Sequence, residues 1–235
     1  MSDADRPLIG DERGEWLRGD VVGILTAQQL RATAVVTPVS SNSALESTQS
    51  FAQVVRTRIG SPYVIEGMQN AAKAGAELVV GFEANGGFLL GSQVLRDGRR
   101  LGPLPTSDSV IPMLALLCGA KAAKLKMSEV GYRLPKRFTA SDRIQNFATA
   151  SSLALIVRLR MDHAALRELM APQAGEVVSI DETDGLRVLF ASGDIVHLRP
   201  SGNAPELRCY AESTTVDQAK QLCDDCLLRV LKVAA

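Results

Sequence analysis

No stretch of this chain holds the roughly eighteen consecutive apolar residues that a membrane-crossing helix requires. Charge of either sign is not in excess: 26 Lys and Arg stand against 26 Asp and Glu. That balance argues against a globally basic partner for nucleic acid or an anionic membrane, so any cationic site must be local. The first residues, MSDADRPLIGDERG, are polar and acidic, lack the apolar core of a signal peptide, and point to a cytoplasmic protein. Cysteine is scarce. Of Cys118, Cys209, Cys223 and Cys226, only the last two are close in sequence. They have no second CxxC pair and no adjacent histidine, which a zinc site would need. In DQAKQLCDDCLLRVL they share one face of an amphipathic helix and read as small packing residues in a reducing compartment. The two histidines are His163 and His197; strand alternation gives His197 a packing role ahead of a catalytic one. No nicotinamide or flavin motif is present.

What the chain does have is 235 residues, 46% hydrophobic and 22% charged, the composition of a soluble globular protein of one large or two smaller domains. Residues 20–30 carry helical spacing with Asp20 as the N-cap, and 33–39 read as a β-branched strand ended by Pro38 and the serines. A helix is expected over 43–53 and a strand over 54–59. Another helix is capped by Ser61, has Pro62 in its first turn and closes at Gly75. The strand AELVVGF follows, then FLLGSQVL, then a long helix over 107–127. This alternation predicts an α/β/α domain with a mostly parallel mixed sheet over 20–131. LPKRFTASDR (134–143) reads as a polar crossing. Residues 153–161 fit either strand or helix, DHAALRELMAP is a helix, 177–213 is a run of strands with tight turns, and the chain closes on a helix. A smaller α+β domain, an antiparallel sheet flanked by helices, is expected over 136–235, with 1–19 a linker.

Three polar, glycine-bearing stretches carry the chemistry. In DADRP, Asp3 and Asp5 can aim oxygens at one hard cation such as Mg²⁺. In GFEANGGF, Glu83 and Asn85 alternate on a loop after a buried strand, where α/β sheets hold ligands. A carboxylate beside an amide suits paired sugar hydroxyls, the one accepting and the other doing both. In LRPSGNAPELR, Arg199 leads a Ser201-Gly202-Asn203 turn and Arg208 follows. Such a turn presents N–H groups to an anion, and two arginines add charge-assisted bonds of about 1.5–3 kcal/mol each.

In this order and spacing the three stretches resemble the α-D-phosphohexomutases, the family of phosphomannomutase, phosphoglucomutase and phosphoglucosamine mutase. RPSGNAPELR is similar to the family's R-x-S-G-T-E-P-x-x-R through Arg199, Ser201, Gly202, Pro205 and Arg208, with Asn203 and Ala204 in place of Thr and Glu. FEANGG is similar to the sugar loop through Glu83, Asn85 and Gly86, with Gly87 where the family often has His. RTRIGSPYVIEGM resembles the substrate-facing stretch of the third domain through Gly60 and Ser61, and LPKRFTASDR the linker before the last domain.

The resemblance implies four domains in a heart-shaped arrangement, each giving one loop to the active site, of which this chain carries the third and fourth. It implies that Glu83 and Asn85 hold ring hydroxyls, that the 199–208 loop grips the non-reacting phosphate, and that Arg6 assists near the reacting one. It also implies Mg²⁺ on a D-G-D-x-D-R loop, whose later carboxylates are Asp3 and Asp5, so that 1–19 is the remnant of a metal-loop domain. The flanking sequence resembles phosphomannomutases, while the EANG form is shared with acetylglucosamine-phosphate mutases. No T-x-S-H-N-P phosphoserine loop occurs in these residues. The expectation is therefore the C-terminal half of a hexose-phosphate mutase, inactive without a partner half, with no nucleic acid or membrane among its partners. The alternatives are phosphoglucosamine mutase or phosphoglucomutase specificity, or a non-catalytic sugar-phosphate binder.

Overall fold

A computed structural model describes residues 5–234, which divide into two compact units after Pro135. In the first unit the elements run α1 (Gly19–Leu30), β1 (Ala34–Pro38), α2 (Ala44–Ser47), β2 (Gln53–Thr57), α3 (Ser61–Lys73), β3 (Val79–Phe82), β4 (Phe88–Leu90), β5 (Val94–Arg96), β6 (Arg99–Leu101), β7 (Leu104–Asp108) and α4 (Val110–Ala123). The main sheet has the order β2-β1-β3-β4-β7. β1 pairs in parallel with β2 and β3, and β4 runs against both β3 and β7, so only β4 is reversed.

Every residue of β1 and β3 is buried, which is what helices on both faces demand. The period-2 alternation sends Val35, Val80, Phe82, Phe88 and Leu90 to one side, against Ile24 and Ala27 of α1. Ala34, Val36, Val79 and Leu89 face the other side, against Val64, Met68 and Ala71 of α3. Each large side chain fully withdrawn from water contributes about 1.5–3 kcal/mol, so these two seams hold the layers together.

The second unit runs β8 (Phe138–Gln145), α5 (Thr149–Met161), α6 (His163–Met170), β9 (Val177–Asp181), β10 (Leu186–Phe190), β11 (Ile195–Pro200), β12 (Glu206–Ser213) and α7 (Val216–Ala234). Its sheet is antiparallel throughout, in the order β8-β12-β11-β10-β9. The helices share one core: Ile156, Leu159, Leu166, Met170 and Val230 pack on Leu186, Val188, Val196, Leu198 and Leu207. Cys209, Cys223 and Cys226 are free thiols buried in that core. Among the described residues no helix is long and apolar enough to cross a membrane.

Four local expectations are corrected. Asp20 lies inside α1 rather than capping it; Arg18 is the N-cap. Gly60, at φ 132°, precedes α3 in place of Ser61, which is already helical. The helix expected over 43–53 stops at Ser47, because Gln49 turns left-handed (φ 52°) so that the chain can enter β2. Much of the supposed polar crossing at 134–143 is the edge strand β8. Its apolar alternation, Phe138, Ala140 and Ile144, is interrupted by Asp142, and no position is fully buried. The ambiguous 153–161 segment is helical, with Ser152, Ile156 and Leu159 buried at helical spacing.

Candidate functional site

Because β1, β2 and β3 are parallel, the segments that leave them emerge at one edge of the sheet. There Gly60 and Ser61 open α3 after β2, with the Arg58 guanidinium 5.1 Å from the centre of the Tyr63 ring. The 83–87 loop leaves β3, two strand spacings or about 10 Å across the sheet.

That loop is pinned by its own polar groups. The Glu83 N–H donates to the Gly87 carbonyl at 2.9 Å, the Gly86 N–H to the Glu83 carbonyl at 2.9 Å, and the Gly87 N–H to Asn85 Oδ1 at 2.9 Å. Glu83 is half-buried, and Asn85 is exposed at the tip. Burial pushes the Glu83 carboxyl above its ordinary value; a hydrogen bond with the Asn85 side chain and the positive charge of Arg6 oppose that, while Asp5 reinforces it. Arg6 and Asp5 are therefore close enough to act on the Glu83 charge.

The loop leans on the start of α1. A Cβ on Gly19 would lie 2.2 Å from the Gly86 nitrogen, and one on Gly86 would meet Pro7 at 3.4 Å. Asp20, fully buried, ties the start of α1 to the turn after β1. Its Oδ1 accepts from the Val21 N–H at 3.0 Å and from Arg18 Nε at 3.3 Å, and its Oδ2 accepts from the Asn42 N–H at 3.1 Å. The side chain read as a cap is thus a latch between α1 and the turn after β1. Gly87 also has a local reason. A Cβ there would fall 3.0 Å from Ser107 Oγ, 3.4 Å from Asn85 Oδ1 and 3.6 Å from Glu83 Oε2. The bare Cα is ringed by three oxygens. Sequence reasoning missed Ser107 because β7, with Pro105 inside it, does not read as a strand.

Of the metal candidates, Asp3 lies outside the described residues. Asp5 Oδ1 is buried without a hydrogen-bond partner and sits 3.7 Å from Arg6 Nε. Among the described residues no group of three His, Cys, Asp or Glu side chains is placed to hold an ion. One carboxylate beside a guanidinium does not make a Mg²⁺ site by itself.

In the second unit the β11–β12 hairpin sets Arg199 directly opposite Arg208. The 201–205 turn between them is closed by the Ser201 N–H on the Glu206 carbonyl (2.9 Å). It is braced from outside by the Phe147 N–H on the Pro205 carbonyl (2.8 Å). Ser201 is buried, its Oγ 3.4 Å from the Asn203 N–H, and Gly202 stands in open space. Arg199 Nε lies 3.5 Å from Asp184 Oδ2, and Arg208 Nη2 lies 3.2 Å from Glu206 Oε2. Asp184 is delivered by the turn between β9 and β10. There a Cβ on Gly185 (φ 90°) would come 2.4 Å from the Leu198 carbonyl oxygen, so the turn can lie flat on β11 only with glycine. His197 stacks on Tyr210 at 5.4 Å between ring centres, and its Nε2 lies 2.5 Å from the Asp184 carbonyl.

The geometry therefore collects Arg199, Ser201, Gly202, Asn203 and Arg208 at one turn. It collects Arg6, Asp5, Glu83, Asn85 and Gly86 around another, with Gly60 and Ser61 on the same sheet edge as the second. A family model described as phosphoglucomutase/phosphomannomutase, alpha/beta/alpha domain III, matches residues 18–138; that of the C-terminal domain matches 155–228. The chain is 46% identical over 223 residues to a phosphomannomutase of Sinorhizobium fredii, covering 94% of this chain and 46% of that protein. It is 43% identical over 228 residues to a phosphomannomutase of Salmonella muenchen, covering 97% and 47%. It thus spans about half the length of these relatives. A solved phosphoglucomutase/phosphomannomutase family protein of Burkholderia thailandensis shares the fold, with a TM-score of 0.68 at 20% identity, over 99% of this chain and 45% of that one.

Proposed function

The chain belongs to the phosphoglucomutase/phosphomannomutase family, and from that premise we propose that it carries the sugar-gripping and phosphate-gripping loops of a cytoplasmic hexose-phosphate mutase of the phosphomannomutase type. The observation that carries the reading is the hairpin in which Arg199 and Arg208 face each other across the 201–205 turn. Two guanidinium forks beside a glycine-bearing turn suit a phosphate monoester.

In the reaction so proposed, a phosphoserine passes its phosphoryl group to the sugar's free hydroxyl, whose proton ends on the freed serine oxygen. The bisphosphate reorients, and its other phosphoryl group returns to the serine, giving net exchange between C1 and C6. Glu83 and Asn85 hold ring hydroxyls in either orientation, with Gly60, Ser61 and Gly86 shaping the sugar's surroundings, and Arg6 steadies the reacting phosphate. Ser201, Gly202, Asn203 and both arginines hold the other phosphate, and that remote grip positions the reacting end. Mg²⁺ would neutralise charge on the transferring group, with Asp5 and Asp3 as its carboxylates; residues 1–19 then represent the end of a metal-loop domain, ahead of a sugar-binding domain over 20–131 and a phosphate-binding domain over 136–235.

No T-x-S-H-N-P pattern of the kind that would carry the nucleophile occurs in these 235 residues. The polypeptide by itself is expected to give no measurable turnover of mannose 1-phosphate with catalytic bisphosphate, because an in-line transfer has no donor. A coupled assay showing turnover in the ordinary enzyme range, about 1–1000 per second, would overturn this. Binding is the separate test. Titration calorimetry with mannose 6-phosphate should give saturable heat that Arg208→Ala weakens at least about tenfold, one charge-assisted bond being worth more than 1.4 kcal/mol. Heat unchanged in Arg208→Ala would remove the hairpin from the reading. Tight binding in a chain that no phosphoserine-bearing polypeptide can activate would favour a non-catalytic sugar-phosphate binder.

A further inference from the structure

The second sheet places a third arginine in line with the two already described. Arg143 on β8 is the register partner of Arg208 on β12, which is the partner of Arg199 on β11. Residues directly opposite in antiparallel strands share a face, so the three guanidinium groups project from one side in a row. The row lies beside the 201–205 turn, because the segment leaving β8 is bonded to that turn through Phe147 and Pro205.

Two carboxylates answer these three cations. Asp184 sits against Arg199, and Glu206 is shared by Arg143 and Arg208. Glu206 Oε1 lies 3.4 Å from Arg143 Nε, and its Oε2 lies 3.4 Å and 3.2 Å from Nε and Nη2 of Arg208. These contacts are long for charge-assisted bonds, which favour about 2.7–2.9 Å. Just before β8, Arg137 meets the buried Glu212 of the same sheet at 2.6 Å. The contrast separates a structural pair from a loosely held one. Two of the loosely held arginines are also accessible: the Arg143 side chain is 48% exposed and Arg208 34%, whereas Arg199, at 12%, is as withdrawn as Arg137 at 14%. Three arginines less two carboxylates leave a local charge of +1, with Glu206 offering two oxygens where a phosphate would offer three.

We infer that Arg143 is a third phosphate-holding residue of this site, and that Glu206 is an internal anion whose hold on Arg143 and Arg208 the phosphate of the ligand replaces. The inference rests on the phosphate-binding reading of the hairpin and extends it to a strand that carries none of the residues first assigned to it. It makes Glu206 a brake on affinity. Each phosphate that binds must first loosen two ion pairs, so grip and release are balanced within one side-chain network.

The test is titration of the full 235-residue chain with mannose 6-phosphate and, separately, with inorganic phosphate, using Arg143→Ala, Arg143→Lys, Glu206→Gln and Arg208→Ala. Thermal melts check that each variant folds. Arg143→Ala is expected to weaken both ligands about tenfold, the worth of one charge-assisted bond. Arg143→Lys should recover part of the loss, keeping the charge without the fork. Glu206→Gln should tighten both ligands several-fold and steepen their dependence on salt. Wild-type affinity in Arg143→Ala, with loss in Arg208→Ala, overturns this inference and leaves the hairpin reading intact. Unchanged or weaker binding in Glu206→Gln overturns the internal-anion role. No binding by the unaltered chain overturns both the inference and the reading beneath it.

Discussion

Alanine at position 19 is expected to destabilise the first unit by about 3 kcal/mol, the upper end of what overpacking costs, and to free the 83–87 loop. The added methyl would sit 2.2 Å from the Gly86 nitrogen and 2.6 Å from the Asn85 carbonyl carbon. Both are backbone atoms, so no rotamer change relieves the clash. Either α1 shifts, pulling Asp20 from the Asn42 N–H, or the loop gives up its Glu83–Gly87 and Gly86–Glu83 hydrogen bonds. The loop is the cheaper to move, because its bonds are few and close to solvent. Hydrogen exchange at the amides of Glu83, Gly86 and Gly87 should then quicken roughly a hundredfold, each 1.4 kcal/mol being a factor of ten. Gly102→Ala is the control: nothing lies within 4 Å of a Cβ there. Equal protection in the two variants would remove the Gly19–Gly86 contact as the loop's support. On the proposed function, Gly19→Ala should also weaken hexose-phosphate binding, although residue 19 is assigned no contact with the ligand.

How much of this was legible beforehand depends on whether a feature is local. The buried strand VVGF followed by a glycine-bearing polar loop can be read from neighbours in sequence, and so can the arginine-led turn at 199–208. The layer order of the first unit follows from strands alternating with helices, and the free cysteines on α7 from their three-residue spacing. What could not be read is what register decides. Arg143 stands beside Arg208 only because β8 pairs with β12 across more than sixty residues of chain. The apolar period of β8 is broken at Asp142, between Ala140 and Ile144, and none of its residues is fully buried. Ser107 reaches Gly87 only because β7 closes the sheet beside β4. Asp20 carries the signature of a cap, an acid before an apolar helical pattern. It became a buried latch because the Asn42 N–H, twenty-two residues away, was brought to its second oxygen. Sequence patterns report the faces of single elements, and sites built between elements need the pairing as well.

The second unit should lose stability in acid through His197, and the sign follows from its surroundings. The Asp184 carbonyl can only accept, so Nε2 carries the proton and the ring is neutral, with Nδ1 buried and unpartnered. Burial disfavours the imidazolium most. The bond with the Asp184 backbone and the charge of the Asp184 carboxylate partly oppose this, the nearby charges of Arg187 and Arg199 add to it, and the result is a value lowered from 6.5 to about 4. Above pH 6.5 the residue is neutral folded or unfolded, and its contribution to stability is fully present. Between 6.5 and 4 the unfolded chain takes up a proton that the folded chain refuses, so stability falls as pH falls, by roughly 3 kcal/mol over the whole window. Carboxylates held low, such as Asp181, lose their contribution only below their ordinary value of 3.8 and so do not share this window. His197→Gln keeps a donor for the Asp184 carbonyl but cannot titrate. Urea unfolding at pH 7 and pH 5 should show the natural chain losing about 2 kcal/mol more than the variant between the two conditions. Equal losses would place the acid sensitivity elsewhere. The phosphate turn itself should be spared in that window: the folded ring takes a proton only near pH 4, and at Nδ1, so Nε2 goes on donating to the Asp184 carbonyl and the segment that sets the Asp184 carboxylate against Arg199 stays in place.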